Sequence, residues 1–217
     1  MCTTSKQTGN TVILSSYPSK RRGRSLLDAT TIWQAARATS AATSFFEPIE
    51  IDNEEFVDGA TPANNPIMEL WSEAHDVFSD SSDGDWALDD NVSCVVSVGT
   101  GVPALRSFGD DPLQIGAKLV KIATDTERKA EDFARHHPRL FKDGRYIRLN
   151  VDRGLEKIGL EEESKLKDIV GATRSYLQSE QVRWVLVQCA ERLSKRECKW
   201  ARFFFPVTGE VYKIPFS

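Results

Sequence analysis

The stretch "EEFVDGATPANNP", residues 54–66, holds the residue types best placed to do chemistry. An apolar pair, Phe56-Val57, runs into Asp58, then Gly59, Ala60 and a polar turn. A carboxylate at a strand end can accept a proton or a hydrogen bond. From those three residues alone the reading is a turn, with Asp bonding its own backbone and Gly supplying positive φ. Other stretches invite chemistry and resist it. "GTGVPA", 99–104, opens like a dinucleotide fingerprint but lacks the third glycine, and Pro103 sits where a helix should begin. The acidic loop 79–90 fits a calcium loop poorly. With Gly84 sixth, Ser79 and Ser81 fall first and third and Asp90 twelfth, so a solvated loop is the better reading. "SKRRGR", 19–24, could contact phosphate headgroups or act as a nuclear signal, against a simpler solvated loop. Nothing places His75, His136 or His137 beside Asp58 for a triad. Cysteines 2, 94, 189 and 198 match no zinc spacing, and Cys94 and Cys189 read as small buried hydrophobes in a reducing compartment.

These residues need elements to hold them. "TVILSS" from Thr11 is a short strand after a Gly9-Asn10 turn, with Cys2-Thr3-Thr4 as its partner. A helix is expected from an Asp28 cap through "ATTIWQAARATSAA", with Ile32, Ala35, Ala36 and Thr39 inward. Arg37 is expected to brace it by pairing with an acid. Asn64 and Asn65 read as caps, with Pro66 opening a helix whose stripe is Ile67, Leu70, Trp71, Ala74 and Phe78. Val92–Val98 is a continuous apolar run, typical of a strand buried on both faces. A long helix spans about Asp111 to His137, with Leu119, Ile122, Ala123, Ala130, Phe133 and Ala134 inward, and Pro138 stops it. "RYIRLNV" is a strand, helices follow near 162–178 and 180–197, and Thr208-Gly209 suits a hairpin. Strands alternating with helices give an α/β layered domain.

The chain has 217 residues, 40% hydrophobic and 28% charged, enough for one domain with a core. A net charge of −4 gives no general pull towards nucleic acid, and no nucleic-acid partner is expected. No apolar run approaches the roughly 18 residues of a membrane span. The polar start does not read as a secretory signal, so the expected location is cytoplasmic, with contact at membrane surfaces.

In order and spacing, "IWQAARATSAATSFFEPI", "FVDGATPANNPIMELWSEA" and "CVVSVGTGVP" resemble the patatin-like phospholipase family, nearest its fungal members. "VDRGLEKIGLEE" and the helix after it are similar to the fungal subgroup. The resemblance covers about residues 2–190. It implies a three-layer α/β/α sandwich with a mainly parallel sheet over 1–195, leaving 196–217 as a tail or hairpin outside it. It also implies a serine–aspartate dyad needing neither metal nor organic cofactor, acting on lipid or phospholipid. Asp58-Gly59-Ala60 matches the family's Asp-Gly-Ala/Gly motif, which makes Asp58 the proton acceptor. A serine hydroxyl is a poor nucleophile until a base takes its proton, and without histidine the carboxylate must do so. Gly59 and Ala60 would leave room for the nucleophile turn, while backbone N–H groups hold the oxyanion.

The family's other motifs are a glycine-rich oxyanion loop and Gly-x-Ser-x-Gly. Neither is found in this sequence, and the nearest approach, Gly171-Ala172-Thr173-Arg174-Ser175, has serine in the wrong place within a helix. Both precede the Asp-Gly pair in the family. The expectation is an N-terminally truncated domain, without its nucleophile serine and inactive alone, with no substrate-binding residue assigned. The alternative is a non-catalytic interaction module, whose open sheet edge or apolar face is covered by a complementing chain or by its own apolar tail.

Overall fold

A two-residue connection decides the first sheet. Asp52 and Asn53 both take positive φ, 52° and 62°, and turn β3 (Ile49–Ile51) back onto β4 (Glu54–Asp58). Asp and Asn tolerate this conformation, and the turn's twist matches that of the flanking strands. At the chain start, Gly9 at φ +71° lets β1 (Cys2–Ser5) fold onto β2 (Thr11–Ile13). β1 also pairs with β4, giving an antiparallel sheet in the order β2-β1-β4-β3. This computed structural model describes residues 1–19, 21–43, 45–79, 86–102, 114–156, 158 and 162–194. The hairpin expected at 208–209, and the whole of 196–217, lie outside them.

Between β2 and β3 stand two helices where the sequence suggests one: α1 (Ser25–Ala29) and α2 (Ile32–Thr39). Asp28 is inside α1, paired with Arg24 at 3.2 Å, and does not cap. Thr31 occupies the N-cap of α2, and Gln34 Oε1 accepts from its N–H at 2.9 Å and its Oγ1 at 2.7 Å. The pattern Thr-x-x-Gln is a capping box. This start sets the buried face: Ala38 is fully buried and Ala35 packs against the core, whereas Ile32 is 88% exposed. With Leu14, Ile51 and Phe56, Ala38 forms the core under the first sheet.

β4 leads through α3 (Ala60–Ala63) to α4 (Ile67–Phe78), then α5 (Leu88–Asn91) and β5 (Val95–Val98). α6 (Gln114–His136) is followed directly by α7 (Pro138–Lys142), with Pro138 stopping one helix and opening the next. β6 (Tyr146–Leu149) pairs in parallel with β5. A 3-10 turn at Glu163–Lys165 precedes α8 (Leu166–Gln178) and α9 (Glu180–Ser194).

The fold is mixed α/β, and the parallel pairing is β5–β6. The other four described strands run antiparallel, because short turns join two of their three pairs and only a long crossover makes parallel neighbours. Val95 and Tyr146 share one face of the parallel pair and pack with Ile67, Phe133 and Leu140, and Trp71 and Ala134 close the cluster. The opposite face of β6 lies against α9. β5 is not buried on both sides: Val95 and Ser97 are inside, Val96 and Val98 are open, and Val98 is 73% exposed. On α6, Ala130 and Phe133 are buried as expected, while the side chains at 119, 122 and 123 lie outside the described residues.

α4 also departs from its expected stripe. Ile67 and Trp71 face the core, but Leu70 and Phe78 are exposed and Glu73 is buried. Arg22 explains it, gripping Glu73 through two nitrogens at 2.6 Å each. Arg21 pairs with Asp76 at 2.8 Å, so the basic stretch finds on α4 the acids its own neighbourhood lacks. The Arg22 hydrogen bonds hold the Glu73 carboxyl below the usual carboxylate range, against the opposing effect of burial.

Candidate functional site

Asp58 is the last residue of β4 and sits opposite Thr3 of β1. Its backbone is fixed on both sides. The N–H donates to Ala41 O at 2.9 Å, and the carbonyl accepts from Thr4 Oγ1 at 2.8 Å. One residue earlier, Val57 O accepts from Thr3 Oγ1 at 2.7 Å. Buried threonines on β1 thus pin the strand end that presents the carboxylate.

The side chain is half-buried, and Oδ1 accepts from the Ala60 N–H at 2.7 Å. That is the self-bonded turn read from the sequence. Among the described residues Oδ2 accepts no hydrogen bond, so one oxygen anchors the group and the other stays available. Gly59 differs from the simple turn reading. Its φ is −71°, an ordinary helical value, so positive φ is not the reason for glycine. A Cβ there would stand 2.4 Å from Cys2 O and 2.8 Å from Cys2 C. Glycine is required because β1 passes against the turn, and the room it leaves is filled by Cys2 backbone.

α6 holds the far side of the turn. Asn64 Nδ2 donates to Thr126 Oγ1 at 2.7 Å, Asn65 Nδ2 donates to Thr126 O at 3.0 Å, and Lys129 Nζ donates to Pro62 O. The expected capping roles of Asn64 and Asn65 are therefore corrected. α4 begins at Ile67 with Pro66 in the cap position and no side-chain cap. Asn65, only 3% exposed, is used to tie the turn to a helix 61 residues away. No local signal marks such a partner. Arg37 does brace the loop before β3, but through the Glu47 carbonyl at 2.6 Å and the Phe46 ring at 5.1 Å, not through an acid.

The same turn of α6 continues the polar framework. Glu127 Oε1 accepts from Arg148 at 2.5 Å and from Asn150 Nδ2 at 2.9 Å. Asn150 Oδ1 in turn accepts from the Gly101 N–H at 2.7 Å. The glycine stretch 99–102 is thus a loop tied to the end of β6, and residues 103–104 lie outside the described residues. So do residues 80–85 of the acidic loop.

The histidines go elsewhere. His75 lies 4.0 Å from Asp76, His136 contacts Asp132 O at 2.7 Å, and His137 Nδ1 lies 3.0 Å from Asp89. His137 also packs at a tilt against Trp71 and Phe133, with ring centroids at 4.4 and 4.5 Å, in a cluster where those two rings meet edge-on at 5.3 Å. Two cavities of about 220 and 290 Å³ flank Arg22, and neither is lined by Asp58. Among the described residues no three of His, Cys, Asp and Glu are grouped to hold a metal ion. No described helix is long and apolar enough to cross a membrane.

Asp58 is thus a half-buried carboxylate at a strand end, held through one oxygen by the Ala60 N–H. The family model for patatin-like phospholipase matches residues 4–71, a span that contains Asp58, Gly59 and Ala60. Two kinds of relative are similar over about half of the chain. "Phospholipase A I" of Arabidopsis thaliana is 33% identical over 121 residues, covering 55% of this chain and 8% of that protein. The "85/88 kDa calcium-independent phospholipase A2" of Rattus norvegicus and that of Mus musculus are each 32% identical over 143 residues, covering 57% of this chain and 17% of those proteins. Over residues 4–71 the chain is similar to patatin-like phospholipases, and it spans less than a fifth of the length of these curated relatives.

Proposed function

We propose that this chain is the aspartate-bearing portion of a patatin-like lipid acyl hydrolase, with Asp58 as proton acceptor of a serine–aspartate dyad. The observation that carries the reading is the family match across residues 4–71, enclosing a carboxylate held by one oxygen and open at the other. The serine would come from a Gly-x-Ser-x-Gly segment outside these 217 residues. Asp58 Oδ2 would take the hydroxyl proton as Oγ attacks the ester carbonyl. Collapse of the tetrahedral intermediate expels the alcohol, which receives that proton, and leaves an acyl-enzyme. Water then attacks the acyl group and gives its proton to Asp58, which returns it to serine Oγ as the fatty acid is released. Ester-linked lipid or phospholipid is the substrate class, met at a membrane surface from the cytoplasm. Alone, the chain should not hydrolyse acyl esters. Coding sequence upstream and in frame that supplies Gly-x-Ser-x-Gly, together with phospholipid hydrolysis by the longer product, supports the reading. Robust ester hydrolysis by the 217-residue chain that survives Asp58→Asn overturns it.

A second reading, a non-catalytic module that pairs with another chain, is favoured by one observation. Among the described strands β5 pairs on one edge only, and Val98 beside that edge is 73% exposed. An open edge next to apolar surface favours strand addition. On this reading the purified chain associates, and Val98→Lys shifts it towards monomer in light scattering after gel filtration. A monodisperse monomer, unchanged by the substitution, counts against it.

A further inference from the structure

We propose that the exposed apolar patch around Arg37 is the surface by which this protein enters a zwitterionic phospholipid layer, beside the Asp58 turn. The proposal rests on the lipid acyl hydrolase reading and adds to it the face that meets the substrate. The capping box at Thr31 turns Ala35 and Ala38 of α2 to the core. Ile32 and Trp33, in the first turn of α2, are left outside, 88% and 65% exposed. Trp33 lies one turn before Arg37, so the two share a face of the helix. The Arg37 guanidinium stands over the Phe46 ring, 5.1 Å from its centroid. Phe46 and its neighbour Phe45 are 58% and 44% exposed. Large apolar side chains from two segments thus gather around one cation.

Three observations assign the occupant. The first is continuity with the candidate site. The N–H groups of Phe45 and Phe46 donate to Ala42 O at 3.0 and 2.9 Å, and the adjacent carbonyl, of buried Ala41, accepts the Asp58 N–H at 2.9 Å. Patch and carboxylate therefore hang from neighbouring peptide units. The second is the side-chain types. Tryptophan and phenylalanine beside arginine suit a membrane–water boundary, with rings among the acyl chains and guanidinium at the headgroups. The third is charge. Arg37 enters no ion pair among the described residues. Its Nη2 donates to the Glu47 carbonyl, and its enclosed Nη1 has no partner there. A lipid phosphate supplies the anion that these residues do not. The formal net charge of −4 gives no general attraction to anionic lipid, so the phosphate is that of a zwitterionic headgroup. Binding should come from burial of the apolar side chains, and added salt should change it little.

The test uses the full 217-residue chain and sucrose-loaded phosphatidylcholine vesicles, with co-sedimentation as the measure of binding. The expected result is that the chain sediments with the vesicles, and that Ile32→Ser and Trp33→Ser each weaken the partition by about tenfold or more. Both side chains face solvent, so the thermal midpoints should be unchanged. Trp184→Ser on α9, at a position equally exposed at 65%, should leave binding as it is. Brominated acyl chains should quench tryptophan emission in the unaltered chain and do so less in Trp33→Ser. Failure to sediment with phosphatidylcholine overturns the proposal, as does a loss that follows Trp184→Ser and not Trp33→Ser. Binding that requires anionic lipid and is abolished by salt also overturns it, and so does a chain dimer that Trp33→Ser breaks and vesicles do not displace. Vesicle binding needs no nucleophile. It can fail while the longer product hydrolyses phospholipid, and hold while that product does not, so the patch and the dyad are tested separately.

Discussion

At Gly59 a missing methyl group decides whether β1 can lie against the Asp58 turn. Gly59→Ala places carbon 2.4 Å from the Cys2 carbonyl oxygen, closer than any unstrained contact, so strand or turn must move. We expect a loss of about 1–3 kcal/mol in urea denaturation, the usual range for forcing extra atoms into a packed site. Glu73 makes a different prediction, in pH. Its folded carboxyl titrates below its ordinary value of 4.5, chiefly through the Arg22 hydrogen bonds. Its stabilising effect is therefore full above that value and is lost as pH falls through the lower folded one. Glu73→Gln should make the decline of the denaturation midpoint below pH 4.5 shallower, and should lower stability at pH 7 by about 1–2 kcal/mol through the weakened bonds to Arg22. A decline as steep as in the unaltered chain would show that this pair carries no acid sensitivity.

Among the elements, α6 joins the Asp58 turn to the parallel pair, with Thr126 and Lys129 on the turn and Glu127 on Arg148 and Asn150. Asn65→Ala removes a buried hydrogen bond to Thr126 O, at a cost of about 1–2 kcal/mol. Amide exchange should quicken most at Ala60 and Ala63, in the turn, and least in β5 and β6. Uniform quickening would mean that Asn65 stabilises the whole fold and does not position the turn. Much of the element order is legible in the sequence, because it rests on local rules. Gly9-Asn10 marks the first hairpin, Pro138 ends the long helix, and the turn at Asp58 is the one its residue types favour. What is not legible depends on distant partners. Glu73 looks like solvent-facing charge until Arg22 arrives from 51 residues away, and Asn65 looks like a cap until α6 is beside it. The apolar run at 92–98 suggests burial on both faces, but neighbours across the sheet decide that, and β5 has only one described neighbour. The Thr31–Gln34 capping box is a local signal in the sequence that places the helix start at Thr31, not Asp28.

For the whole molecule, α6 packs against α4 and links the Asp58 turn to the end of the parallel pair. The described cavities lie around Arg22, away from Asp58. On the proposed reading, the cleft around Asp58 is completed by the nucleophile-bearing segment. Asp58→Asn is the most direct measurement, made in the longer product that contains Gly-x-Ser-x-Gly. Asparagine keeps the carbonyl oxygen that accepts from Ala60 N–H, so the fold and its thermal midpoint should be unchanged. Without a base, phospholipid hydrolysis should fall by about 10²-fold or more. Hydrolysis that persists at the unaltered rate in a folded Asp58→Asn protein would contradict the account.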